Sequence, residues 1–186
     1  VQYGNVQEKC SRNIEDKRTI AAYAATLVRP NDFIFLDAGS TTEQLATYLT
    51  EKDAVYVTNG ITLAQKLAQR GLKTLLIAGS VKATTDAVIG TEAVASLQHY
   101  HFSKGFFGTN GITVEEGFTT PDIEEAMNKR VAMEHCRKCY VLADASKFEA
   151  LSNVSFGPLS KGVIITAAQE GLNVRSYKQH TEVIVL

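Results

Sequence analysis

Phe33-Ile34-Phe35-Leu36-Asp37-Ala38-Gly39-Ser40-Thr41-Thr42 begins as an unbroken apolar run and turns polar within a single step. So short a run, bounded by turn residues, predicts a strand buried on both faces, as in a parallel sheet covered by helices. The residues that follow, Glu43-Gln44-Leu45-Ala46-Thr47-Tyr48-Leu49, have the pattern of a helix. Asp37 and Gly39 leave the strand, and Ser40, Thr41 and Thr42 are candidate N-caps at a place where a helix presents unpaired N–H groups. Such a start favours a phosphate or carboxylate through the helix dipole, the free amides and nearby hydroxyls. An ordinary strand-to-helix turn with a Ser/Thr cap explains the same residues, because the spacing is neither GxGxxG nor the longer P-loop.

Outward from this stretch, the pattern repeats. Ala54-Val55-Tyr56-Val57 leads to Thr58-Asn59-Gly60 and a helix from Ile61 to Arg70, which Gly71 ends. Leu72 to Ala78 predicts a third strand of the same buried type, closing on Gly79-Ser80. Strands alternating with helices imply an α/β fold with a mainly parallel sheet, helices on both faces and a small subdomain. Right-handed crossovers then place Asp37 to Thr42, Thr58, Asn59 and Gly79 on one carboxyl edge, where open α/β sheets bind ligands.

Later segments extend the sheet. Lys104 to Phe107 predicts a fourth strand delivering Gly108-Thr109-Asn110-Gly111 to the ligand edge, and Tyr140 to Ala143 a fifth, ending in Asp144-Ala145-Ser146-Lys147. Gly162 to Thr166 and Thr181 to Leu186 predict two more. Thr84 to Gly90 is expected to be an excursion before a helix from Thr91 to about Tyr100. Gly117 to Asp122 is expected to be a turn leading into a helix through His135. Upstream, a helix is predicted from an N-cap at Asn13, ending before Pro30, and residues 1–12 are expected to be a linker from something longer, with 13–186 as one domain.

With 186 residues, 45% hydrophobic and 21% charged, the chain can fill one core. Its 19 basic and 20 acidic residues give a net charge of −1, which excludes a global positive field for holding nucleic acid. No apolar run approaches a membrane span and no secretory pattern opens the chain, so the expected compartment is the cytosol, with no membrane partner. Three cysteines argue against a disulfide framework.

Several side chains carry two readings. Lys147, following a buried strand, is either the cation for a phosphate at Ser40 to Thr42 or a solvated surface lysine. Cys136 and Cys139 form a CxxC pair without a second ligand pair, so no metal is expected and buried free thiols explain them. His99 and His101 read as a helix end. Asp122, Glu124 and Glu125 are either candidate carboxylates for chemistry or the acidic first turn of a helix.

Taken together, Asp37-Ala38-Gly39-Ser40-Thr41-Thr42, Thr58-Asn59, Gly79, Gly108 to Ile112, Asp122 with Glu125 and Lys129, and Leu142 to Phe148 resemble the sensor domain of the DeoR family of bacterial transcription regulators. The resemblance spans nearly the whole chain. It implies a fold similar to ribose-5-phosphate isomerase and a site for a phosphorylated sugar that changes DNA affinity. The implied site residues are Asp37, Gly39, Ser40, Thr41, Thr42, Thr58, Asn59, Gly79, Asn110, Asp122, Glu125, Lys129 and Lys147, with no cofactor. It further implies a repressor of a carbohydrate operon, self-associating as a dimer or tetramer, that reaches operator DNA through an N-terminal winged helix-turn-helix. No such motif precedes residue 1, so this stretch by itself is expected not to bind an operator.

The alternative is a sugar-phosphate isomerase or deaminase-like enzyme. The related isomerases carry paired aspartates where this chain has Gly108-Thr109-Asn110-Gly111, and their glutamate falls at or beside Asn128 or Lys129. Proton transfer between sugar carbons needs a positioned base, which glycine, threonine and asparagine cannot supply. No catalytic residue is therefore assigned, although Glu124 or Glu125 remains available as a base.

Overall fold

A computed structural model of the chain describes residues 3–186, with side chains from residue 13 onward. The chain enters through helix α1 (Tyr3–Ala25), then runs through β1 (Phe33–Leu36), α2 (Ser40–Tyr48), β2 (Val55–Thr58), α3 (Ile61–Gln69) and β3 (Lys73–Leu76). A hairpin of β4 (Ser80–Lys82) and β5 (Ala87–Ile89) precedes α4 (Thr91–Leu97), β6 (Phe102–Gly108), β7 (Gly111–Thr113), β8 (Gly117–Thr120) and α5 (Ile123–Glu134). The last part comprises β9 (Cys136–Leu142), β10 (Val154–Gly157), β11 (Val163–Thr166), α6 (Arg175–Lys178) and β12 (Val183–Val185).

Seven strands form a parallel sheet in the order β12-β11-β9-β6-β1-β2-β3. The chain builds outward from β1 to β3, then returns to lay β6 against the other side of β1 and continues to β12. The order therefore reverses between β1 and β6, and the crevice of an open α/β sheet opens beyond the carboxyl ends of those two strands.

Strand alternation divides the core. Ile34 and Leu36 face a layer made with Ile20, Ala24 and Leu45, whereas Phe35 faces one made with Phe107, Phe118 and Val131. Helices α1 and α2 pack against each other on the first face, and α4 and α5 lie on the second. The second face also carries a small antiparallel sheet in the order β10-β8-β7.

Five expectations change. The first helix begins at Tyr3 and passes through Asn13 without a cap, since nothing from Asn5 to Arg12 breaks a helix; Val1 and Gln2 lie outside the described residues. β3 is the sheet edge rather than a doubly buried strand, with Leu75 38% and Leu76 48% exposed, because among the described strands it pairs with β2 alone. Gly117 to Thr120 is a strand, not a turn, and Thr84 to Gly90 belongs to the β4–β5 hairpin. Finally, α2 starts at Ser40 with Gly39 as its cap residue, so Ser40, Thr41 and Thr42 form the first turn instead of capping it.

Candidate functional site

Asp37 ends β1 at the crevice. Its N–H donates to Phe106 O (2.9 Å), which extends the pairing with β6, and its carboxylate accepts from the Gly108 N–H (3.1 Å). Lys129, from α5, places its ammonium on the same carboxylate, donates to Gly108 O (2.9 Å) and lies over the Phe156 ring. Both residues are almost fully buried. Burial pushes the Asp37 carboxyl above its ordinary value, and the Lys129 ammonium and Gly108 N–H pull the other way. A charged pair in this position withstands desolvation only because each member also has hydrogen bonds.

Around this pair lie two chambers that share Ala38, Gly39, Asn110 and Lys129 as a common wall. The smaller, of about 140 Å³, is lined by Ser40, Thr41, Thr109 and Lys147. The larger, of about 330 Å³, is lined by Asp37, Asn59, Lys82, Thr120, Asp122 and Glu125. At the smaller chamber the first turn of α2 presents backbone N–H groups that have no partner among the described residues. Gly39 is extended (φ 162°), and a Cβ there would touch the Thr42 hydroxyl at 3.4 Å, so glycine keeps the shared wall low. Lys147 sits on a short 3-10 turn (Ala145–Lys147) whose start is held by Asp144, which accepts from the Ser146 N–H. Two broad depressions of about 690 and 770 Å³ lie elsewhere, beside Arg175 and beside His101, and neither holds a buried ion pair.

The larger chamber is closed by the β4–β5 hairpin. Lys82 reaches Asp122 (3.3 Å) and Glu125 (3.9 Å) across the opening. Asp122 caps α5 by accepting from the Glu125 N–H (2.9 Å), and that bond, with Lys82 beside it, holds the Asp122 carboxyl below its ordinary value. The hairpin is fixed at its base. Asn59 accepts from the Ala38 N–H (3.0 Å) and donates to Val88 O (3.3 Å), and Asn128 donates to the same carbonyl (2.9 Å).

The structure thus brings Asp37, Gly39, Ser40, Thr41, Asn59, Asn110, Asp122, Glu125, Lys129 and Lys147 to one cleft. Thr42, Thr58 and Gly79 stand behind its wall. Thr42 donates to Gly39 O (3.1 Å) and is fully buried, and Thr58 donates to Leu36 O (2.6 Å). A Cβ on Gly79 would come within 2.6 Å of Ile89 O, so glycine there lets the hairpin fold back. The Asn110 carbonyl accepts from the Thr120 hydroxyl (3.1 Å), which turns its amide nitrogen elsewhere. Lys82 and Thr120 are cleft residues without an expectation from sequence, because Lys82 lies in a stretch with no legible element and Thr120 in one with the pattern of a turn. Cys136 and Cys139 lie in β9 as free thiols, and among the described residues no His, Cys, Asp or Glu cluster forms a metal site. Among those residues, too, no helix is long and apolar enough to cross a membrane.

Residues 12–167 match the family model for the DeoR C terminal sensor domain. The chain is 41% identical over 180 residues to the HTH-type transcriptional regulator FruR of Bacillus subtilis, covering 96% of this chain and 72% of that protein. It is 34% identical over 182 residues to the lactose phosphotransferase system repressor of Streptococcus mutans, with the same coverage of both chains. Among solved structures it is similar to ribose 5-phosphate isomerase A of Methanocaldococcus jannaschii (TM-score 0.52, 16% identity, 73% of this chain and 55% of that one). It is also similar to the translation initiation factor eIF-2B of Pyrococcus horikoshii (TM-score 0.55, 19% identity, 76% and 50%). The chain spans about half the length of these two solved chains, and the likeness to them is one of fold.

Proposed function

This chain belongs to the DeoR C-terminal sensor domain family, and from that premise we propose that the two-chambered cleft is the effector site of a transcription regulator responding to a phosphorylated sugar. The phosphate occupies the smaller chamber, against the first-turn amides of α2, the Ser40 and Thr41 hydroxyls and Lys147. The sugar occupies the larger chamber, where Asp122 and Glu125 accept hydrogen bonds from its hydroxyls. The observation that carries this reading is the meeting of a helix start and a lysine with no carboxylate partner among the described residues on a chamber of phosphate size, beside a larger polar one. The names of two relatives, a lactose phosphotransferase system repressor and a putative aga operon transcriptional repressor of Escherichia coli, support a sugar-responsive repressor. Operator DNA is contacted by the family's winged helix-turn-helix, in keeping with the net charge of −1 here. Self-association follows from the symmetry of palindromic operators.

Binding without turnover fits the same residues. Lys129 is committed to Asp37, and Asn128 to Val88 O, so neither is placed as a proton-transfer base. Glu125 favours the enzyme reading, since its carboxylate lines the larger chamber 3.9 Å from the Lys82 ammonium. Thermal-shift titration against phosphorylated and free hexoses tests the proposal, which expects stabilisation by the phosphorylated members alone. Isomerisation or deamination of any of them, abolished by Glu125→Gln, would replace it with the enzyme reading.

A further inference from the structure

We infer that Lys17, on α1, is a positioning residue of the phosphate chamber, aiming the Ser40 hydroxyl at the bound anion and tying occupancy of the chamber to α1. The inference rests on the proposed effector site.

Lys17 Nζ donates to Ser40 Oγ (3.0 Å) across 23 positions of sequence. Lys17 is half-buried, and among the described residues it forms no ion pair, although Lys66, Lys82, Lys104 and Lys129 each have a carboxylate. An ammonium whose partner among the described residues is a neutral hydroxyl leaves its charge available to an anion. Ser40 is exposed on the smaller chamber, in the first turn of α2. A hydroxyl has a single proton and two lone pairs. When Ser40 Oγ accepts from the ammonium, its own proton is turned away from Lys17, and the polarised O–H becomes a better donor to an oxyanion.

Charge balance points the same way. A phosphate monoester carries about −1.5 to −2 charges at neutral pH. Lys129 is neutralised by Asp37, so Lys147 alone would leave the anion under-compensated. Lys17, one hydroxyl away, supplies the second positive charge. Because α1 packs along α2 and runs back to Tyr3, the contact also joins the occupied chamber to the element leading toward the N-terminal side of the chain.

The test is calorimetry on the chain with fructose 1-phosphate, fructose 6-phosphate, glucose 6-phosphate and glycerol 3-phosphate, each against its unphosphorylated parent. With whichever ester binds wild type, Lys17→Met and Ser40→Ala should each lower affinity about three- to tenfold. The double variant should lose little more than either one, and Lys17→Arg should recover most of the loss. Ester binding should slow hydrogen exchange of the α1 amides around Lys17 in wild type and not in Lys17→Met. Unchanged affinity in Lys17→Met, or losses that multiply independently in the double variant, would overturn the role of Lys17 and leave the effector site standing. Absence of binding by wild type to every ester would overturn the effector site itself, and this inference with it.

Discussion

Lys129 joins the Asp37 carboxylate at the end of β1 to the Gly108 carbonyl, 2.9 Å away at the end of β6. One side chain from α5 therefore fastens the two strands between which the sheet order reverses, at the centre of the cleft. Removing either charge strands the other in a buried site. Asp37→Asn and Lys129→Met should each cost about 3–5 kcal/mol in urea unfolding, and the double variant less than the sum. Strictly additive losses would show that the pair is not coupled.

Thr41 and Thr42 are neighbours with different tasks. Thr41 lines the smaller chamber, whereas the Thr42 hydroxyl is spent on Gly39 O behind it. Thr41→Val should weaken binding of a phosphorylated sugar by about 0.5–1.5 kcal/mol with little change in stability. Thr42→Val should do the reverse, lowering stability by a similar amount. Calorimetry and thermal unfolding of the two variants side by side separate these outcomes.

The parallel sheet and its shared carboxyl edge were readable because β1, β2 and the strand ending at Leu142 close on short apolar runs followed at once by polar turns, whereas the strand order, and with it the reversal between β1 and β6, leaves no local pattern. That pattern requires cover on both faces and a shared carboxyl edge. The edge position of β3 was not readable, because Leu75 and Leu76 look the same whether or not a neighbour covers them. Local pattern also could not show that Lys82 returns over the cleft. Its hairpin is held by Asn59 and Asn128, residues distant in sequence whose bonds to Val88 O exist only once the fold forms. For the same reason Thr42 and Thr58 looked like ligand contacts. A threonine after a strand offers the same hydroxyl to a ligand or to the backbone, and only packing decides.

Asp122 links stability to pH. Its folded-state value is depressed by the Glu125 N–H and by Lys82, so its contribution is present above the unfolded carboxylate range near about 4 and is lost as pH falls through the lower folded value. Asp122→Ala should cost about 0.5–2 kcal/mol at neutral pH as a lost helix cap. The gap between wild type and variant should narrow as pH drops below about 4. Asp37 has the opposite sign, since its raised value makes its contribution shrink as pH rises. Unfolding curves of wild type and Asp122→Ala share that background, and a gap that widened in acid would contradict the capping role.

Lys82 crosses the larger chamber on a partly exposed pair of contacts, so Lys82→Ala should change the stability of the free chain by no more than about 1 kcal/mol. On the proposed assignment its effect belongs to the sugar end. The variant should alter discrimination among hexose phosphates while keeping the advantage of each phosphate over its parent sugar, as measured by competition calorimetry. Loss of that advantage would place Lys82 at the phosphate instead.

On the proposed reading the phosphate lies in the chamber formed by the start of α2 and Lys147. Calorimetry of Lys147→Ala with a hexose phosphate that binds wild type, run beside the free hexose, tests it most directly. Lys147→Ala should lose about 1.5–3 kcal/mol of binding for the phosphate and none for the free sugar. Unchanged phosphate affinity in Lys147→Ala, or a free hexose binding wild type as tightly as its phosphate, would contradict it.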